Sequence, residues 1–168
     1  MEKAIQIRWW VQAGAVVATL AAVGVHAAGQ QAKPATTLQV NLKIGGASYT
    51  ASGPGECIHS TEGGLYDTPG TQWGARRTDG NQNVNFTMWR LSGKGDSVTL
   101  FVTAGGKTHK VNTVPVGPPS NRAGSGTATF EARGAGGVFT LDLRADTGAA
   151  ITGQMICSGF TKPEDNGE

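Results

Sequence analysis

Glycine breaks this chain into short stretches, and that spacing governs what it can fold into. The 26 glycines among 168 residues fall mostly between runs in which apolar and polar residues alternate. Helix interiors disfavour glycine, whereas turns favour it. Alternation gives a strand one apolar face and one polar face. Together the two patterns predict an all-β chain, an antiparallel sandwich or small barrel of about eight strands. The same alternation argues against low-complexity disorder, which has too little apolar surface to bury.

The clearest run is Thr37 to Ile44, with Leu38, Val40, Leu42 and Ile44 on one face and Gln39, Asn41 and Lys43 on the other. Gly45-Gly46 predicts a hairpin into a short strand through Ser48-Tyr49-Thr50. Gly53-Pro54-Gly55 predicts a break before a third short strand, Glu56 to His59. Residues 60–82 lack a period and predict a long irregular connection, of the kind that usually carries function. Its Tyr66 and Trp73 predict that it packs on something. Val84, Phe86 and Met88 resume an inward face, SGKGD predicts a turn, and Val98, Leu100 and Val102 continue that face. Further strands are predicted near Thr108–Val114, Ala128–Ala132, Val138–Arg144 and Ile151–Cys157, with a proline-rich loop, PVGPPSNRAGSG, before the second of these.

Residues 1–27 read as a secretory signal peptide. Lys3 and Arg8 make a positive start, an apolar run extends from Trp9 to Val25, and Val25-His26-Ala27 places small residues where a signal peptidase reads. The chain therefore divides into a leader, one β domain over residues 28–161, and a polar tail over residues 162–168. The expected location is periplasmic or secreted. In such a compartment thiols pair, and Cys57 and Cys157 are the only two cysteines. Closing so long a loop stabilises a fold by about 4–5 kcal/mol on the chain-entropy model.

Charge narrows the partners. Without Glu2, Lys3 and Arg8, the 14 basic and 12 acidic residues fall to twelve and eleven. That balance disfavours nucleic acid, which is bound through a concentrated basic face. No apolar run beyond the leader approaches the ~18 residues of a spanning helix, so the exported domain is expected to have no membrane span.

Two groups of residues stand out as candidate binding sites. If all of SGKGD is the turn, Trp89 lies opposite Thr99 and Thr87 opposite Phe101. Trp89 and Phe101 then sit diagonally on the outward face, within reach of each other, as a platform for a sugar or a partner's side chain. The plainer alternative is that the 60–82 connection, with Tyr66 and Trp73, folds over those rings as a second small core. The second group is that connection itself. Tyr66, Asp67, Trp73, Arg76 and Arg77 mix aromatic and charged groups as recognition surfaces do, and the adjacent arginines could clamp a carboxylate or phosphate.

Catalysis finds little support. No GxSxG nucleophile elbow is present, and Cys57, two residues before His59, is expected to be consumed in the disulfide. Glu131 and Asp142, with Arg133 and Arg144, read as a solvated charge ladder. No metal-ligand spacing and no cofactor motif occurs. The residue types point to a binding or interaction module of the bacterial envelope, with an envelope glycan, an envelope protein or a small apolar ligand as partner. The competing classes are a hydrolase acting on envelope polymers and a structural or inhibitory envelope protein.

Overall fold

The structure, a computed structural model, describes residues 36–163; the expected leader over residues 1–27 and the last five residues of the polar tail lie outside the described residues. Ten strands follow in chain order: β1 Thr36–Ile44, β2 Ala47–Ser60, β3 Gly64–Leu65, β4 Thr68–Asp79, β5 Gln82–Leu91, β6 Gly95–Ala104, β7 Lys107–Asn112, β8 Ser125–Arg133, β9 Gly136–Arg144 and β10 Ala150–Cys157. Nine of them form one antiparallel sheet in the order β7-β6-β5-β4-β2-β1-β10-β9-β8, and β3 pairs with β4 as a short flap.

The sheet curls into a nearly closed barrel whose two end strands, β7 and β8, approach each other. Asn112, at the end of β7, exchanges two backbone hydrogen bonds with Ala123, just before β8. The β9–β10 turn adds a third link, with the Asp146 amide donating to the Lys110 carbonyl at 2.9 Å.

Alternation places the core. Leu38, Val40 and Leu42 of β1, Phe86 and Met88 of β5, Leu100 of β6, Phe139 and Leu141 of β9 and Met155 of β10 all face inward and are fully or almost fully buried. Toward one end the filling becomes aromatic. Trp73 packs on Phe130 at 5.0 Å, Phe130 on Phe139 at 5.1 Å, and His59 stacks on Trp73 at 5.2 Å between ring centroids. Arg90 closes this end with its guanidinium 5.4 Å from the Trp73 ring. Asp96 holds Arg90 through two hydrogen bonds of 2.7 and 2.8 Å and raises its pKa further above the ordinary arginine value.

Cys57 and Cys157 are bonded inside the barrel, with their Cα atoms 6.1 Å apart. The bridge spans from β2 to β10 past the start of β1. There the segment after β10 takes β1's place beside β2: the Thr161 amide donates to the Cys57 carbonyl at 2.9 Å, and the His59 amide donates to the Thr161 carbonyl at 3.0 Å.

Three local expectations are corrected. Gly53-Pro54-Gly55 does not end a strand. β1 pairs along this stretch as far as Thr36 with Gly55, and Gly53 takes a φ of +139°, a conformation glycine reaches without a steric cost while the ladder continues. Residues 60–82 are not an irregular connection but the β3 flap and the 12-residue strand β4. The turn between β5 and β6 is shorter than SGKGD. Gly95 pairs with Leu91 and Asp96 with Arg90, so Trp89 lies opposite Ser97, Thr87 opposite Thr99, and Phe101 opposite Asn85. The expected second and third strands merge into β2, and β3 and β4 are added, which brings the count to ten.

Candidate functional site

On the outer surface of the barrel the two-residue shift between β5 and β6 lines up a polar row. Thr87 pairs with Thr99, and Thr99 pairs with Asn112. Strand geometry turns all three outward, beside the neighbouring pair of Gln72 and Trp89. Trp89 is only 9% exposed, because Leu91 and Val114 bury it as a second small core, with Leu65 and Val116 packed against them. Ser97, across the ladder from Trp89, is buried with a hydroxyl that has no hydrogen-bond partner.

Two segments rise around this row. One is the flap. Leu65 pairs with Thr68, so Tyr66 and Asp67 alone form the turn, and both are left-handed, at φ +48° and +59°. A two-residue hairpin asks for that conformation and normally uses asparagine and glycine to reach it. The other segment is the proline-rich loop between β7 and β8. Asn112 anchors it: its Oδ1 accepts from the Val114 amide at 3.2 Å and from the Thr99 hydroxyl at 3.3 Å, while its Nδ2 donates to the Asn121 carbonyl at 2.7 Å.

The flap reaches the loop through Tyr66. Asn121 Nδ2 donates to the Tyr66 hydroxyl at 3.3 Å. The ring lies directly on Gly117, where a Cβ would collide with it, and Gly117 itself has a φ of +80°. Between flap, loop and sheet lies a pocket of about 260 Å³. Gln72, Thr87, Thr99, Asn112 and Asn121 supply amides and hydroxyls; Leu65, Val114, Val116 and the two rings Tyr66 and Trp89 supply apolar surface.

Of the seven residues in the two groups singled out in the sequence, the pocket brings together Tyr66 and Trp89, and Asp67 sits in the flap turn outside the lining. Trp73 faces the barrel interior and is 6% exposed. Phe101 is 38% exposed on the outer face, four residues along β6 from Trp89's partner and beneath Lys110, whose Nζ is 5.5 Å from the ring centroid. The diagonal Trp89–Phe101 pair is therefore corrected by the register. Arg76 and Arg77 do not form a clamp, because neighbours in a strand point to opposite faces. Arg76 is outside, 3.6 Å from Glu56. Arg77 is turned in, donating to the Pro54 carbonyl at 2.5 Å and to Asp79 at 2.9 Å. Near that end, burial pushes the Tyr49 hydroxyl above its usual pKa, partly offset by the Arg77 charge.

A second pocket of about 270 Å³ lies between the end of β2 and the segment after β10, and His59, Ser60, Glu62 and Lys162 are among its lining residues. The His59 ring in it is stacked on Trp73, and Cys57 is bonded to Cys157. Among the described residues no three histidine, cysteine or carboxylate side chains are placed to hold a metal ion, and no helix is long and apolar enough to cross a membrane. Comparison with protein-family models, with curated proteins and with solved structures returns no match.

Proposed function

We propose that this protein is an exported binding or interaction module of the bacterial envelope, and that it seats its ligand in the outer pocket over Trp89. The observation that carries the reading is the way the pocket is built. A strained two-residue turn projects Tyr66 across to a loop whose glycine leaves room for the ring. Backbone held in a sparsely populated conformation is retained where surrounding structure enforces it, and it concentrates at ligand clamps. The pocket mixes apolar walls with a few convergent polar groups, as binding sites do. Export is supported by the expected leader and by the bonded cysteine pair, which belongs to an oxidising compartment.

Thr99→Trp tests the reading. Thr99 lies half-buried on the sheet surface, so an indole there fills the pocket without entering the barrel core. Soluble fragments of envelope polymer that bind the native protein should no longer bind the variant, while the melting temperature stays close to native. Undiminished binding by Thr99→Trp would exclude the pocket as the binding site. Cleavage of the fragments by the native protein would move the protein to the hydrolase class.

A further inference from the structure

We infer that the ligand of the outer pocket is an uncharged sugar ring, a terminal or branch residue of a larger glycan; this rests on the pocket being the binding site. The lining decides the charge. Its polar groups are the amides of Gln72, Asn112 and Asn121, the hydroxyls of Thr87 and Thr99, and the Tyr66 phenol; all are hydrogen-bonding groups of uncharged residue types. A charged ligand entering between Leu65, Val114 and Val116 would lose hydration with no opposite charge to replace it. The charged residues that flank the pocket in sequence do not alter this. Asp67 and Arg122 are outside the lining, and Arg122 donates to the Pro115 carbonyl at 2.6 Å. Arg90 is held by Asp96.

Shape and polarity separate a sugar from the other neutral candidates. A purely apolar ligand would cover Gln72, Thr87 and Asn121 without offering them hydrogen bonds, and burying unpaired polar groups is costly. An extended peptide needs a long groove, or a free strand edge for its backbone. The site is instead a compact pocket of about 260 Å³ on the face of paired strands, just below the ~300–1,000 Å³ usual for drug-sized ligands. A pyranose meets both demands of the lining. Its C–H face lies against an aromatic ring, and its rim of hydroxyls meets amides and threonines. The pocket is open to the outside, so the rest of a glycan chain can leave past Tyr66, which is 54% exposed.

The test titrates the exported protein with methyl glycosides of neutral hexoses and N-acetylhexosamines, and with the matched uronic acids and amino sugars. The readouts are the NMR signals of the Gln72, Asn112 and Asn121 side-chain amides and of the Trp89 indole. At least one neutral glycoside should move these signals and bind about tenfold or more tighter than its charged counterparts, a difference of roughly 1.4 kcal/mol. Its affinity should be unchanged by added salt, and Gln72→Ala should weaken it about tenfold with little change in melting temperature. Failure of every glycoside to bind, or tighter binding of a charged sugar, would overturn the inference. So would pocket signals that move with a peptide alone, although the pocket would then stand as a binding site. A neutral sugar that binds but moves signals around Phe101 and Lys110 instead would overturn the pocket reading itself.

Discussion

Trp89 serves two structural purposes that its sequence position alone does not separate. Its outward register suits a binding surface, yet Leu91 and Val114 bury it to 9% exposure while it also lines the pocket. Trp89→Ala should therefore cost roughly 3–5 kcal/mol of folding stability, measured by urea unfolding, and abolish binding at the same time. A loss below about 1 kcal/mol would mean that the ring is a free platform after all. Period-two alternation made the outward direction of Trp89, Thr87 and Thr99 legible in the sequence. It could not mark Gln72, Asn112 and Asn121 as site residues, because outward amides look alike whether they meet solvent or line a pocket. Val116 did carry a signal, as an apolar residue inside a proline-rich loop that has to be buried against something, whereas Val114 reads as the end of the preceding strand.

At the scale of elements, β4 is the instructive case. Of its interior positions, Trp73, Ala75 and Arg77, only one carries a large apolar side chain, so the strand shows no alternation to read. Its identity comes from pairing with β2 and β5 on either side, a non-local cause. The β5–β6 register is hidden in the sequence for a different reason. SGKGD contains two glycines and reads as all turn, but the Arg90–Asp96 ion pair draws Asp96 into the ladder. The flap tests whether strain is stored where the binding site needs it. Asp67 occupies the left-handed region at φ +59°, where a residue with a Cβ carries a cost of about 1–2 kcal/mol. Asp67→Gly should raise stability by about 1 kcal/mol by thermal unfolding and leave Tyr66 in place. Lower stability in that variant would show that the Asp67 side chain supports the turn.

For the whole molecule, the sequence carried the class of fold and the cysteine pair, because glycine spacing and alternation are local signals. Closure of the barrel was not legible. It depends on Asn112 meeting Ala123 and on Asp146 reaching Lys110, contacts between segments that no periodicity relates. The disulfide joins β2 to β10 across a separation of 100 residues, so it constrains almost the entire barrel in the unfolded chain. Replacing Cys57 and Cys157 together by serine should lower stability by about 4–5 kcal/mol, seen as a large fall in the urea midpoint. Stability equal to the native protein in oxidising buffer would contradict a bridge that spans the fold.

If ligand is held on the outside of the filled barrel, the two tryptophans of the β domain report the two sides of that wall. Trp73 is among the aromatic rings inside, and Trp89 lines the outer pocket. With the protein labelled with fluorotryptophan and the signals assigned through Trp73→Phe, titration with soluble envelope glycan fragments should shift the Trp89 resonance and leave Trp73 unmoved. Saturable binding in which Trp73 shifts and Trp89 does not, or neither moves, would contradict that placement.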